Sequence, residues 1–107
     1  MHFVVIGKDK GEGELRRTAR PAHLEFVAGQ QHLILFAGPL IEEGRMIGSL
    51  FVFNVEDRAA LDSYLARDPY FTAGIFETVE IYETRRMVPE TKPGLLAAEA
   101  ERARGAA

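Results

Sequence analysis

The chain has 107 residues, which is enough for one domain and too few for two. Its 13 basic and 16 acidic residues give a net charge of −3, whereas nucleic-acid-binding proteins normally carry a basic excess, so we expect no nucleic-acid partner. The absence of cysteine excludes disulfides, thiolate nucleophiles and cysteine metal sites, and we expect a cytoplasmic location. No apolar run approaches the roughly 20 residues that a membrane helix needs, so we expect no membrane partner.

The first two elements are a strand and a helix. Residues 2–7 are β-branched and apolar and predict a strand, followed by a charged, glycine-rich loop. Apolar residues at spacings of three and four then predict a helix within residues 14–31. Because proline disturbs a helix interior, we expect a loose turn over 14–19, a regular start near Pro21 and a fraying end at Gly29.

The rest of the folded part follows the order strand, strand, helix, strand, over residues 32–38, 47–55, 56–67 and 74–83. Gly38-Pro39 ends the second strand, and the polar residues 42–45 predict a turn that makes a hairpin with the third. Asp68-Pro69 stops the second helix, since proline disfavours helical geometry in the residue before it. The order βαββαβ predicts an α+β, ferredoxin-like fold with a four-stranded antiparallel sheet.

This fold places both helices on one face of the sheet and leaves the other face bare. That face takes alternate residues of strands such as 51–53 and 75–76, which are too apolar to stay in water, so we expect a homodimer that pairs the sheet faces. Residues 1–88 are predicted to form this domain. Residues 89–107, with two prolines and then an alanine-rich, charged run, predict a C-terminal appendage that is helical or disordered.

The candidate chemistry lies at Arg20, His23 and Asp68. Arg16, Arg20 and His23 share one helix face by their spacing, separate from Phe26-Val27, which we expect to meet the sheet. A carboxylate on one imidazole nitrogen fixes the tautomer and leaves the other nitrogen to move a proton near neutral pH. An arginine nearby can hold a substrate carboxylate or enolate.

A plainer interpretation remains open for each of these residues. His23 can be a surface or packing histidine, and Asp68 can cap the turn before Pro69. His2 and His32 are interpreted as structural, and no metal-binding histidine spacing occurs, so no metal is predicted. Tyr64 and Tyr70 are interpreted as packing residues. Weaker candidates for contact with a ligand are Gly38, Pro39, Gly48 and Ser49.

The loop over residues 7–13 lacks both common phosphate-binding glycine patterns, and its acidic residues would repel phosphate. No cofactor is therefore predicted.

The motifs together resemble the YCII-related (YciI-like) family. They are Arg20-Pro21-Ala22-His23-Leu24, Ala37-Gly38-Pro39, Gly48-Ser49, Asp68-Pro69-Tyr70 and Ala73-Gly74-Ile75-Phe76-Glu77, in the family's order from Met1 to about Tyr82. The resemblance implies a dimeric α+β barrel of two ferredoxin-like subunits. It also implies that His23 and Asp68 form an acid–base pair in a cleft bordered by Arg20, Gly38, Ser49 and Pro69. The connection over residues 40–46 is shorter than is common in relatives, so the substrate does not carry over.

Two functions follow as hypotheses. The first is a small cofactor-independent enzyme in which His23 is the general base and acid, Asp68 orients it and Arg20 steadies an anionic substrate. The resemblance implies isomerisation or elimination, as in a lyase of the dehydrochlorinase type, on a small anionic or hydroxylated aromatic-derived compound. The alternative is a non-catalytic protein that binds a small anionic ligand on the same scaffold.

Overall fold

The structure is a computed structural model and describes residues 1–105. The strands are β1 (His2–Asp9), β2 (Ile34–Glu42), β3 (Arg45–Asn54) and β4 (Phe76–Thr84). The helices are α1 (Glu14–Ala28), α2 (Arg58–Leu65), α3 (Pro69–Thr72) and α4 (Leu95–Gly105), and a 3-10 turn spans Gln31–Leu33.

The four strands form one antiparallel sheet in the order β2-β3-β1-β4. The central pair places Phe3 opposite Phe53 and Val5 opposite Phe51. Because side chains alternate along a strand, these four share one face of the sheet. The order and direction of the strands confirm the predicted ferredoxin-like α+β fold.

The main core lies between this face and α2. Its members are buried apolar or aromatic side chains of β1, β3, α2 and the residue that follows β3: Phe3, Val5, Phe51, Phe53, Val55, Leu61 and Tyr64. A second, smaller cluster lies beside it and joins Ala19 of α1, Tyr70 of α3, Ile75 and Phe76. Both clusters are on the helix side of the sheet, and the candidate site is built against them.

A glycine lets two central strands approach closely beside the site. A Cβ atom on Gly48 of β3 would lie 2.2 Å from the carbonyl oxygen of Gly7 on β1. That contact is with backbone, which cannot move aside without disturbing the ladder. Only glycine fits at position 48, next to Ser49 of the site.

The hairpin between β2 and β3 is tighter than predicted. The strands continue to Glu42 and resume at Arg45, leaving a turn of Glu43 and Gly44 with φ of 49° and 76°. Positive φ at both positions matches the turn geometry that suits the twist of a hairpin. β2 also runs through Gly38-Pro39 instead of ending there. It is an edge strand, where a proline that lacks an N–H donor is tolerated.

Other predicted boundaries are also corrected. His32 lies in the 3-10 turn and does not open a strand, and β4 begins at Phe76 and not at residue 74. The helix predicted over 56–67 is shorter, because the Asp57 side chain caps it by accepting a hydrogen bond from the Ala60 N–H. The short helix α3 was not predicted.

Helix α1 is continuous through Pro21, so the expected loose turn over residues 14–19 is wrong. The proline removes only the hydrogen bond to the carbonyl of Arg17, an exposed residue whose oxygen water can solvate. Arg16 and Ala19 before the proline and His23 after it are all buried. Packing on both sides of Pro21 thus keeps the two halves of the helix in line.

The opposite face of the sheet carries the alternate side chains of the same strands. Phe36 and Tyr82 on that face are 61% and 53% exposed. Val52 faces that side as predicted, whereas Ile75 and Phe76 are buried in the second cluster. A homodimer through this face remains a prediction that its exposed apolar area favours.

The C-terminal part of the described chain contains α4, which has no buried residue. The boundary at residue 88 stays a prediction, and the last two residues of the predicted appendage, 106 and 107, lie outside the described residues. Within residues 1–105, no helix has both the length and the apolar character needed to cross a membrane.

Candidate active site

Asp68 is the centre of the site. It is fully buried and stands at the start of α3, where its side chain accepts a hydrogen bond from the Tyr70 N–H at 2.9 Å. The same oxygen, Oδ1, lies 2.7 Å from Nδ1 of His23, and Oδ2 accepts from the Tyr64 hydroxyl at 2.7 Å. A buried carboxylate is costly unless such donors satisfy it, and here both oxygens are engaged.

His23 is held from two sides. Its ring stacks on the Tyr70 ring, with centroids 3.5 Å apart and planes at 7°, and meets Phe51 edge-on at 6.2 Å. Because the Asp68 carboxylate only accepts, Nδ1 carries the proton and Nε2 has a free lone pair. Within residues 1–105 no group hydrogen-bonds Nε2, and no fully buried side-chain nitrogen or oxygen lacks a partner, so Nε2 is open to solvent.

His23 borders a cavity of about 230 Å³, called the inner cavity from here on. Its wall includes Arg20, Gly38, Ser49 and Tyr70. The wall thus contains three of the four residues predicted to border the cleft, and Asp68 lies behind it, bonded to His23. Pro69 is the exception, because it is absent from the wall and occupies the first turn of α3, where it fixes the direction of the chain between Asp68 and Tyr70.

Arg16 is a member of the site that the sequence left unassigned. Its guanidinium makes a two-pronged ion pair with Asp9, at 2.7 and 2.9 Å, and donates to the Ser49 hydroxyl at 2.9 Å. Burial disfavours the charge, but the hydrogen bond and charge of Asp9 prevail and raise the pKa of Arg16. The residue is therefore a permanently charged brace that ties α1 to β1 and β3.

Arg20 lies at the mouth of the inner cavity and is half-buried. Its Nη1 is 3.4 Å from the Tyr70 hydroxyl and 3.7 Å from Sδ of Met46. None of the ion pairs among residues 1–105 includes Arg20. Its positive charge is consequently available to an anion in the cavity.

The two tyrosines do more than pack. Tyr64 is buried in the main core, and burial together with its hydrogen bond to Asp68 raises its pKa well above the usual value. The Tyr70 hydroxyl lies 3.4 Å from both Arg16 and Arg20. The interpretation as packing residues was incomplete. For Tyr70 the sequence held no local signal, because its hydroxyl contacts arginines 54 and 50 residues away along the chain.

The expectation about the faces of α1 is correct only for Phe26, which packs against Tyr64 of the main core. The buried residues of the helix are Arg16, Ala19 and His23, so the polar face points at the sheet side. Phe26 packs only partly against the main core. The spacing of residues 16, 20 and 23 correctly indicated that these three polar side chains share one face of the helix. The spacing could not show that this face is buried, because burial of Arg16 depends on the carboxylate of Asp9, which lies in another element.

This arrangement can move a proton. A histidine with one nitrogen on a buried carboxylate and the other open to a cavity can accept a proton there, and the carboxylate supports the resulting imidazolium. Arg20 can hold an anion beside it. As for metals, residues 1–105 contain no group of three or more histidine, aspartate or glutamate side chains placed to hold an ion.

Solved structures with the same fold include enzymes. The structure of 5-chloro-2-hydroxyhydroquinone dehydrochlorinase (TftG) from Burkholderia phenoliruptrix AC1100, in complex with 2,5-dihydroxybenzoquinone, matches with a TM-score of 0.74 and 24% identity, over 80% of this chain and 95% of that one. SnoaB, a cofactor-independent oxygenase from Streptomyces nogalater, matches with a TM-score of 0.51 and 21% identity, over 83% and 96%. A dimeric ferredoxin-like protein of unknown function from Jannaschia sp. CCS1 gives a TM-score of 0.44 at 22% identity, over 79% and 97%.

No curated protein sequence matches the chain significantly. The YCII-related domain, in contrast, matches residues 1–85, a span that contains all four strands and every residue of the site described above. The match covers most of the chain and agrees with the motif order and with the fold. The protein therefore belongs to the YCII-related domain family.

Proposed function

We propose that this protein is a small, cofactor-independent enzyme that uses His23 and Asp68 as an acid–base pair. The observation that carries the proposal is the pairing of Nδ1 of His23 with a fully buried carboxylate, 2.7 Å away, while Nε2 is accessible to solvent and the residue borders the inner cavity. Simple ligand binding does not require a buried charge, whereas support of an imidazolium does.

In the proposed reaction, Nε2 of His23 takes a proton from a substrate carbon or hydroxyl next to a carbonyl or phenol. The electron pair left behind is delocalised as an enolate or phenolate, and the imidazolium is stabilised by Asp68. Return of the proton to another carbon completes an isomerisation. If instead a leaving group departs as an anion with its bonding pair, the outcome is an elimination, and the imidazolium then releases its proton to solvent. Neither route needs a metal or nucleotide.

The proposed substrate is small, anionic or hydroxylated, and derived from an aromatic compound. Arg20 supplies a positive charge at the mouth of the inner cavity, and Phe51 and Tyr70 supply aromatic surface. The cavity volume of about 230 Å³ suits a single ring with its substituents. The structurally similar TftG is a dehydrochlorinase of 5-chloro-2-hydroxyhydroquinone, which makes elimination of chloride from a hydroxylated ring the first reaction to test.

The test is a chloride-release assay on 5-chloro-2-hydroxyhydroquinone, together with proton NMR in heavy water on a panel of hydroxylated aromatics and lactones. Exchange of a carbon-bound hydrogen would report proton abstraction even where no product accumulates. We expect His23→Gln to lower the rate by about 10²- to 10⁴-fold, the usual contribution of a general base. His32→Gln is the matched control, because His32 is exposed and lies in the 3-10 turn.

Full activity of the His23→Gln variant on a true substrate would exclude the proposed role. A ligand that binds tightly and is recovered unchanged after long incubation, with no hydrogen exchange, would instead establish the alternative of a non-catalytic binding protein.

A further inference from the structure

A second cavity adjoins the inner one. This outer cavity has a volume of about 320 Å³ and lies between the start of α1 and the beginning of β3. Arg16 and Arg20 line both cavities, so the two share a wall. Arg17 and Arg45 complete the basic lining of the outer one. The proposed reaction uses only the inner cavity and leaves the outer one without a role.

The outer cavity is positively charged although the whole chain carries −3. Arg16 is neutralised by Asp9, and Arg45 lies 3.4 Å from the Glu12 carboxylate, both side chains being largely exposed at 67% and 80%. Such an exposed pair is weak and screened by water. Arg17 and Arg20 belong to none of the ion pairs formed within residues 1–105. Two guanidinium groups outside these ion pairs therefore line the same cavity, and the exposed Glu14 carboxylate near Arg17 offsets only part of their charge.

The geometry connects this charge to His23 through one side chain. Nη1 of Arg20 lies 3.4 Å from the Tyr70 hydroxyl, and the ring of the same tyrosine stacks on His23 at 3.5 Å. Arg20 and His23 therefore contact the same tyrosine, and Arg20 lines both cavities. A short substituent on a ring in the inner cavity can extend past Arg20 into the outer cavity.

We propose that the substrate of this site carries a carboxylate on a short arm, held by Arg17 and Arg20 in the outer cavity while the reacting ring lies in the inner cavity. This inference rests on the proposed function, because it takes His23 as the reacting end. Guanidinium groups match the planar geometry of a carboxylate. Glu12 on the rim disfavours a group with a second negative charge, such as a phosphate.

The test compares two probes that differ in charge and by one methyl group: (2,5-dihydroxyphenyl)acetate and its methyl ester. Their binding is followed by NMR of the backbone amides. We expect the acid to bind more tightly than the ester and to shift the amide signals of Gly13, Arg17 and Met46. Its affinity should fall when salt is added. Arg17→Gln should reduce the affinity for the acid roughly 2- to 5-fold and leave the ester unaffected. Arg58→Gln, a change at an exposed arginine on α2, is the control.

Equal affinity of the two probes would overturn the inference, and so would an acid preference that survives in the Arg17→Gln/Arg20→Gln variant, which lacks both of the proposed guanidinium groups. Absence of any shift with millimolar acid would also overturn it. Binding is measured without turnover, which separates the two proposals. An acid preference reduced in Arg17→Gln and lost in the double variant, combined with no turnover of any substrate, would reject the enzymatic function and retain the carboxylate site.

Discussion

The buried carboxylate of Asp68 should be the most sensitive single group for stability. Asp68→Ala removes the acceptor from three donors: Nδ1 of His23, the Tyr64 hydroxyl and the Tyr70 N–H. Each unsatisfied buried donor costs about 1–3 kcal/mol, and water entering the vacated space recovers part of the total. We therefore expect a loss of about 3–5 kcal/mol in the free energy of unfolding, as for other broken buried pairs.

The chain contains a matched control in Asp57. Like Asp68, it caps a helix through its side chain, accepting from the Ala60 N–H at 2.8 Å, but it is exposed. Asp57→Ala should cost about 1 kcal/mol, the usual value of a lost cap. The excess loss in Asp68→Ala measures the buried network alone. Asp68→Asn keeps one oxygen acceptor and should cost about 1–2 kcal/mol.

The assay is urea unfolding of all four proteins at one protein concentration, followed by circular dichroism. The expected order of stability places Asp68→Ala last, after Asp68→Asn and Asp57→Ala. If Asp68→Ala is no less stable than Asp57→Ala, the carboxylate contributes only a cap. Burial of this carboxylate would then give no support to an imidazolium at His23.

Three further predictions concern packing, pH and assembly. Gly48→Ala should strongly destabilise the fold, because its Cβ would lie 2.2 Å from backbone. Gly38→Ala is the control, since no atom lies within 4 Å of a new Cβ there, and thermal unfolding of both variants tests the difference. The pKa of Tyr64 is raised in the folded state, so its contribution to stability should be fully present below about pH 10 and be lost above it. The free energy of unfolding of the wild type should then fall by up to about 1.4 kcal/mol per pH unit from this residue. In urea unfolding at several pH values, the free energy of unfolding of Tyr64→Phe should fall less steeply. Phe36→Asp should dissociate the predicted homodimer in analytical ultracentrifugation while Leu15→Glu, a change on the helix side, should not; a wild-type monomer would contradict the homodimer.

The order of the elements could be predicted from the sequence, because side-chain alternation in β1 and three-to-four spacing in α1 are local patterns. The boundaries of the elements were predicted less accurately. Pro21 predicted a break that packing of Ala19 and His23 overrides, and Gly38-Pro39 predicted a strand end that an edge position makes unnecessary. In each case a tertiary contact or position outweighed a local preference.

The residues of the site likewise fall into those that the sequence indicated and those that only the structure revealed. The helix spacing marked Arg20 and His23 as one face, and the family motifs paired His23 with Asp68. Nothing local indicated that Arg16 would be buried, since its partner Asp9 lies in a different element.

By itself, then, the sequence determined the βαββαβ order and the residue types able to move a proton or hold an anion. Only the tertiary structure decided which face of α1 turns inward, that the Tyr70 hydroxyl lies beside Arg16 and Arg20, and that two cavities share Arg20. The physical reason is distance along the chain. His23 and Asp68 are 45 residues apart, and their contact exists only once α1 and α3 pack on the same sheet.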